Sequence, residues 1–321
     1  MLHCLTILLV GLLALPLAAQ PLRFALFGDT PYSRWEREQL PAMLGEMARQ
    51  GAAFAVHVGD IKGGGQPCSD ALYEDVRGVF RAAPLPLVYV PGDNEWADCH
   101  RRSNGSHDPL ERLDRLRALF LAGESSLGQR PLRLERQSRD PAYAAYRENQ
   151  RWTWGRLLFV ALNVPGSHNH YHGVHGRGGP TPEFRARTAA NRAWLAQAFA
   201  LARQQQRAGV VIVIHGNPGL EAASAGRPRP GYRELVTQLQ QETRSYPGQV
   251  LLVHGDTHGY QLNQPLPDPQ GRGVLENFTR VEVPGYPFMG WVRVTVEQRH
   301  PRLLLQFALQ RWPPQPAVPP P

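Results

Sequence analysis

Apolar and polar positions follow two periods along this chain, and the two alternate. Short apolar runs at 22–28 (LRFALFG), 52–59 (AAFAVHVG) and 85–92 (LPLVYVPG) have strand length and end in glycine. After each comes a loop and then a stretch with helical spacing: a Ser33-capped segment to about Gln50, one near 69–82 and one near 108–122. Strands that alternate with helices predict an α/β fold with part of the sheet parallel. The middle of the chain is more strand-like, with RWTWG (151–155) and RLLFVALNV (156–164) separated by one tight turn. A glycine- and histidine-rich loop follows at 163–179, then a helix from about Pro182 to Arg207 leads into GVVIVIHGNPG (209–219). Another helix near 231–244 leads into QVLLVHGDTHGY (249–260). TRVEVPG, GWVRVTVEQ and PRLLLQFAL, from 279 to 309, read as antiparallel strands.

The two ends lie outside this pattern. Residues 1–19 form one apolar stretch ending in Ala18 and Ala19, which reads as a secretory signal cleaved after Ala19, with a retained N-terminal anchor as the alternative. Export implies a periplasmic or secreted protein with no span after cleavage. The tail from 311 to 321 is proline-rich and expected to be disordered, so residues 20–310 make one domain. Without the signal, Cys68 and Cys99 remain as an even pair in an oxidising compartment, and a disulfide between them is expected.

Charge adds little. The chain carries a net +8, but its arginines are spread throughout, Lys62 is its one lysine, and no nucleic-acid motif accompanies them. Nucleic acid is not expected as a partner; a mild attraction for anions is.

The candidate chemistry sits where the apolar runs stop. Asp29, Asp60, Asp93, His215 and the pair Asp256 and His258 each follow a strand-like run, and in open α/β sheets ligands bind at the carboxyl ends of strands. A lone aspartate after glycine is usually a turn former or a cap. Aspartates that converge are another matter, because two carboxylates about 4 Å apart repel by roughly 4 kcal/mol at an effective dielectric of 20. Cations are the simple remedy.

In order and placement these blocks, Asp29-Thr30-Pro31, Gly59-Asp60, Gly92-Asp93-Asn94-Glu95, His215 and Gly255-Asp256-Thr257-His258, resemble those of the calcineurin-like metallophosphoesterases. The resemblance runs from about residue 22 to 260. It implies a four-layer α/β/β/α sandwich with mixed sheets and hydrolysis of a small phosphoester, monoester or diester, by a metal-activated water. One metal would take Asp29, Asp60 and His258, with Pro31 where the family has a histidine; Tyr32 beside it is an oxygen donor at a different offset. The second would take Asp60, Asp93, His215 and Asp256. One or two divalent ions are expected, and the oxygen-rich donor set favours Mn, Mg or Fe over Zn.

Asn94 stands where the family has a leaving-group histidine, and an amide delivers no proton. Glu95, His100 and the histidines at 168, 170, 172 and 175 are the candidate replacements. Lys62 either meets a phosphate, pairs with Asp60 or is a solvated loop lysine. These departures keep a second reading open, a non-catalytic metal-binding envelope protein that retains the fold. A histidine-loop metal buffer at 168–175 is a third.

Overall fold

A computed structural model describes residues 22–298 and 303–314. The expected signal segment with Cys4, and the tail from 315 onward, lie outside the described residues.

Two mixed sheets face each other. The first takes β1 (Leu22–Phe27), β2 (Ala55–His57) and β3 (Leu87–Tyr89) as parallel neighbours, then β11 (Gly290–Gln298) and β12 (Leu303–Arg311) antiparallel at its other edge, in the order β12-β11-β1-β2-β3. The second contains β4 (Glu135–Arg136), β5 (Gln150–Trp154), β6 (Leu157–Ala161), β7 (Gly209–Val213), β8 (Gln249–His254), β9 (Gln261–Asn263) and β10 (Phe278–Glu282), in the order β4-β5-β6-β7-β8-β10-β9.

Period-two alternation builds the layers. Phe24, Leu26, Val56 and Val88 point between the sheets and meet Phe159, Val211, Val213, Leu251 and Val253 there. Their neighbours Ala25, Phe27 and Leu87 point outward onto the helices Arg34–Arg49, Asp70–Ala82 and Pro109–Phe120. On the second sheet Leu158, Val160 and Val210 pack outward on the helices Pro182–Gln204 and Arg233–Ser245. The result is the expected α/β/β/α sandwich.

Local signals fix the helix starts. Ser33, Ser69, Asp108 and Thr181 each place a side-chain oxygen on a backbone N–H of the first turn, satisfying donors that the helix itself leaves free. One pairing corrects the sequence reading. β10, the TRVEV run expected to be antiparallel, runs parallel to β8 and antiparallel only to β9. Alternation sets which face a strand buries and carries no information about the direction of its partner.

Cys68 and Cys99 form the expected disulfide, with Cα atoms 5.8 Å apart, joining the loops after β2 and β3. No helix among the described residues is long and apolar enough to cross a membrane.

Candidate metal centre

All five strand-end segments meet at one edge of the sandwich. Asp29 N–H donates to the Gly59 carbonyl at 3.0 Å, Gly255 N–H to the His215 carbonyl at 2.9 Å, and Asp256 N–H to the Asp29 carboxylate at 3.1 Å. Asp29, Asp60, Asp256 and His258 all have positive φ, at 50°, 61°, 78° and 62°. That left-handed conformation costs a non-glycine residue roughly 1–2 kcal/mol, and such strain concentrates at functional sites. Close approach completes the placement. A Cβ on Gly285 would overlap Asp29 and lie 3.2 Å from His258 Cγ, and one on Gly166 would overlap Asp256 Oδ1 and lie 2.7 Å from Asp93 Oδ1.

Two donor groups result. Asp29, Asp60 and His215 bring ligand atoms within 4.8 Å of one another, and so do Asp93, His215 and Asp256. His215 belongs to both, its Nε2 lying 3.3 Å from Asp60 Oδ1, 2.9 Å from Asp93 Oδ1 and 4.0 Å from Asp256 Oδ1. Its Nδ1 faces the Val58 carbonyl at 2.9 Å. A carbonyl and a carboxylate both only accept, so without an ion Nδ1 donates to Val58 and Nε2 to Asp93, and Nε2 can ligate once its proton leaves while Nδ1 keeps its own. His258 repeats the device: Nδ1 lies 2.8 Å from the Tyr286 carbonyl, and Nε2 lies 3.7 Å from Asp29 Oδ1. This donor chemistry fits divalent cations.

Tyr32 joins the first group. Its hydroxyl donates to Asp60 Oδ2 at 2.6 Å and lies 3.3 Å from His258 Nε2. Its oxygen thus lies beside the first group, one residue beyond Pro31, and burial with the Asp60 and Asp29 charges raises its pKa, so it stands there as a neutral phenol.

Electrostatics agree with a cation site. Burial pushes Asp29 up to about 7, with Asp256 and Asp93 adding to the rise against His215. Asp60 is raised well above the usual carboxylate range by burial, reinforced by Asp93, Glu95 and Asp29, and Asp256 rises for the same reason. Asp93 is the exception: burial opposes ionisation, but the bond to His215 and its charge bring it down to about 2. His215 is in turn raised, because Asp60, Asp93 and Asp29 outweigh its burial.

The expected catalytic residues take different places. Asn94 Nδ2 donates to Asp60 Oδ2 at 2.6 Å, to the Tyr32 hydroxyl at 3.1 Å and to the Lys62 carbonyl at 3.1 Å, so it orients Asp60. Glu95, read as a possible proton donor, is fully buried and accepts from the N–H groups of Asp60, Ile61 and Gly92 and from the Tyr89 hydroxyl. Its oxygens fasten two loops together. His100 bonds through Nδ1 to the Ala97 carbonyl at 2.9 Å and belongs to neither donor group. Lys62 is not a solvated lysine: it is fully buried, with Nζ donating to the Gly63 carbonyl at 3.3 Å. Burial lowers its pKa, while Glu95, Asp60, Asp98 and Asp93 oppose that.

The histidine loop borders the second group, but through serine. Ser167 Oγ donates to Asp93 Oδ2 at 2.8 Å or Asp98 Oδ1 at 2.9 Å, and Arg101 binds Asp98 at 2.8 Å and reaches Ser167 at 3.4 Å. Residues 167–170 all have positive φ, from 46° to 58°. Buried Arg187 holds this strained turn, donating to Asn169 Oδ1, the Asn169 carbonyl and the Asn163 carbonyl. His170 pairs with Glu183 at 3.0 Å and His172 bonds the Gly178 carbonyl. Neither donor group among the described residues includes His168, His170, His172 or His175. Ser167, Asp98 and Arg101 gave no sequence signal beyond lying just past strand ends.

No protein-family model and no curated protein matches the sequence. Solved structures do match the fold. A dimetal phosphatase from Danio rerio is 15% identical with a TM-score of 0.56, over 90% of this chain and 96% of that one. A purple acid phosphatase from yellow lupin is 15% identical with a TM-score of 0.51, over 90% of this chain and 52% of that one. GAP50, described as the anchor in the inner membrane complex of Plasmodium, is 10% identical with a TM-score of 0.53, over 90% and 84%.

Proposed function

From the calcineurin-like metallophosphoesterase fold, which this chain has, we propose that the protein is an exported phosphoester hydrolase. It holds one or two divalent ions on Asp29, Asp60, Asp93, His215, Asp256 and His258, with Tyr32 as a further oxygen donor. The observation that carries this is the convergence of Asp29, Asp60, Asp93, His215 and Asp256 from five separate strand ends into two donor groups sharing His215, with His258 Nε2 3.7 Å from Asp29 beside the first. Four carboxylates against two imidazoles make an oxygen-rich set, which suits Mn, Mg or Fe better than Zn. When bound, such ions supply the Lewis acidity that polarises a phosphoryl oxygen and acidifies a water.

The chain's own residues do the rest. Asn94 and Tyr32 fix the Asp60 oxygens, and the backbone N–H of Asn217 fixes Asp256 at 2.9 Å. Arg101 and Arg229 flank the second group, Arg101 through Asp98 and Ser167 and Arg229 beside Asn217, and can take up charge on phosphoryl oxygens. With Asn94 unable to give a proton, esters with good leaving groups are the favoured substrates. The test is hydrolysis of an aryl phosphomonoester and an aryl phosphodiester by metal-stripped protein resupplied with Mn²⁺, Mg²⁺, Fe²⁺ or Zn²⁺ in turn. Turnover with at least one ion supports the reading, and none with any ion contradicts it.

Pro31 and Asn94 favour a second reading, a metal-binding envelope protein without catalysis. Under it ions bind and the same esters survive.

A further inference from the structure

Large aromatic side chains are unevenly exposed on this molecule. Among the described residues the exposed ones are Trp35, Tyr286 and Phe288, at 47%, 45% and 73%. All three lie on the two segments that flank Asp29. Trp35 begins the helix that follows Tyr32, and Tyr286 and Phe288 lie on the turn between β10 and β11.

That turn is bolted to the first donor group. Tyr286 N–H donates to the Asp29 carbonyl at 3.1 Å, His258 Nδ1 to the Tyr286 carbonyl at 2.8 Å and Gly285 N–H to the His258 carbonyl at 3.3 Å. The Tyr286 ring stacks on Tyr32, with centroids 5.7 Å apart and planes 24° apart. Tyr32 in turn touches Asp60. The Tyr286 ring is thus half exposed and held one side chain from the donor atoms. Phe288 adds the most exposed large apolar side chain described, on a turn closed by its own N–H to the Gly285 carbonyl at 2.9 Å.

Exposed apolar surface that borders a polar site marks a ligand contact. What covers it follows from the site beside it. An ester whose phosphoryl group lies on the donor groups projects its alcohol moiety outward, past Tyr32. We infer that Tyr286 and Phe288 form a stacking platform for a planar aromatic group on the alcohol side of the phosphoester, so that nucleotides or aryl-bearing esters are the preferred substrate class. This rests on the hydrolase reading.

Paired substrates that all leave as primary alkoxides and differ within each pair in the ring provide the test. The metal-loaded full-length mature protein is assayed with adenosine 5′-monophosphate against ribose 5-phosphate, and with benzyl phosphate against ethyl phosphate. The ring is expected to raise kcat/KM by roughly five- to a hundredfold, the scale of base–aromatic stacking. An advantage in the nucleotide pair alone identifies a nucleoside, and one in both pairs identifies any flat ring. Phe288→Ala should shrink it while leaving ribose 5-phosphate turnover near wild type, which also reports that the site is intact, and Tyr286→Leu should shrink it as well. Equal rates within both pairs, or an advantage untouched by both variants, overturn the inference. If none of these alkyl esters is turned over, the aryl-ester assay alone decides the hydrolase reading, and calorimetric binding of the monophosphate and the sugar phosphate decides the platform. Tighter binding of the nucleotide, lost in the variants, upholds it; equal binding overturns it.

Discussion

Gly166→Ala should weaken ion binding at the second donor group. Gly166 lies where the loop after β6 crosses Asp93 and Asp256, and its φ is not in the left-handed range, so alanine is disfavoured only by contact. The added methyl would meet Asp93 Oδ1 at 2.7 Å, against an ordinary limit near 3.4 Å, and would overlap Asp256 Oδ1 outright. At least 0.7 Å (3.4 − 2.7) must be recovered on the Asp93 side. The loop yields poorly, because Arg187 and Tyr232 pin Asn163, Pro165 and Asn169. The carboxylates must therefore give. Overpacking of this kind costs about 1–3 kcal/mol, which at 1.4 kcal/mol per tenfold corresponds to a roughly 5- to 150-fold loss in ion affinity. Calorimetric titration of metal-free protein with Mn²⁺ reads it directly, with Gly45→Ala as the control. Unchanged stoichiometry and affinity in Gly166→Ala would refute the placement of Asp93 and Asp256 as ligands.

Three further outcomes concern the scaffold. Gly45 lies inside the helix Arg34–Arg49 with nothing within 4 Å of an added Cβ, so Gly45→Ala should stabilise by about 0.5–1 kcal/mol; a lowered melting temperature would contradict this. Replacing Cys68 and Cys99 by serine opens a loop spanning 31 residues and should cost about 3–4 kcal/mol, seen as a lower urea midpoint. Burial holds His57 neutral, with its pKa down to about 3. The unfolded chain takes up that proton first, so this contribution is present above about pH 6.5 and is lost as pH falls toward 3, up to about 4–5 kcal/mol. The raised Asp29 works the opposite way below pH 7. The comparison is therefore between wild type and His57→Gln, whose urea midpoint should fall less steeply from pH 7 to 4.5; parallel slopes would count against the assignment.

Much of the centre was legible because its signals are local. An apolar run, a glycine and an aspartate identify Asp29, Asp60 and Asp93 wherever the chain goes next, and parallel strands then carry their ends to one edge. What stayed hidden depends on distant partners. Lys62 in a glycine-rich loop could equally meet a phosphate, pair with Asp60 or be solvated, and only the fold shows that it is fully buried on the Gly63 carbonyl. Glu95 resembles an acid catalyst until its oxygens are seen to gather N–H groups from two loops. Tyr32 reaches Asp60 because β1 and β2 run parallel and end side by side, a pairing that spacing does not encode. The left-handed turn at 167–170 is held by Arg187, on the helix Pro182–Gln204, through the Asn169 carbonyl and side chain.

Asp60 stands at the heart of the proposed chemistry, with Tyr32, Asn94 and His215 around its two oxygens. The most direct measurement is the Mn²⁺-dependent hydrolysis rate of an aryl phosphomonoester by wild type and by Asp60→Ala, with circular dichroism confirming that both are folded. Ion-dependent turnover in wild type, reduced by three or more orders of magnitude in the variant, is the expected result. Ion binding by wild type without turnover, or equal rates in the two proteins, would contradict the assignment of this centre as a phosphoester hydrolase.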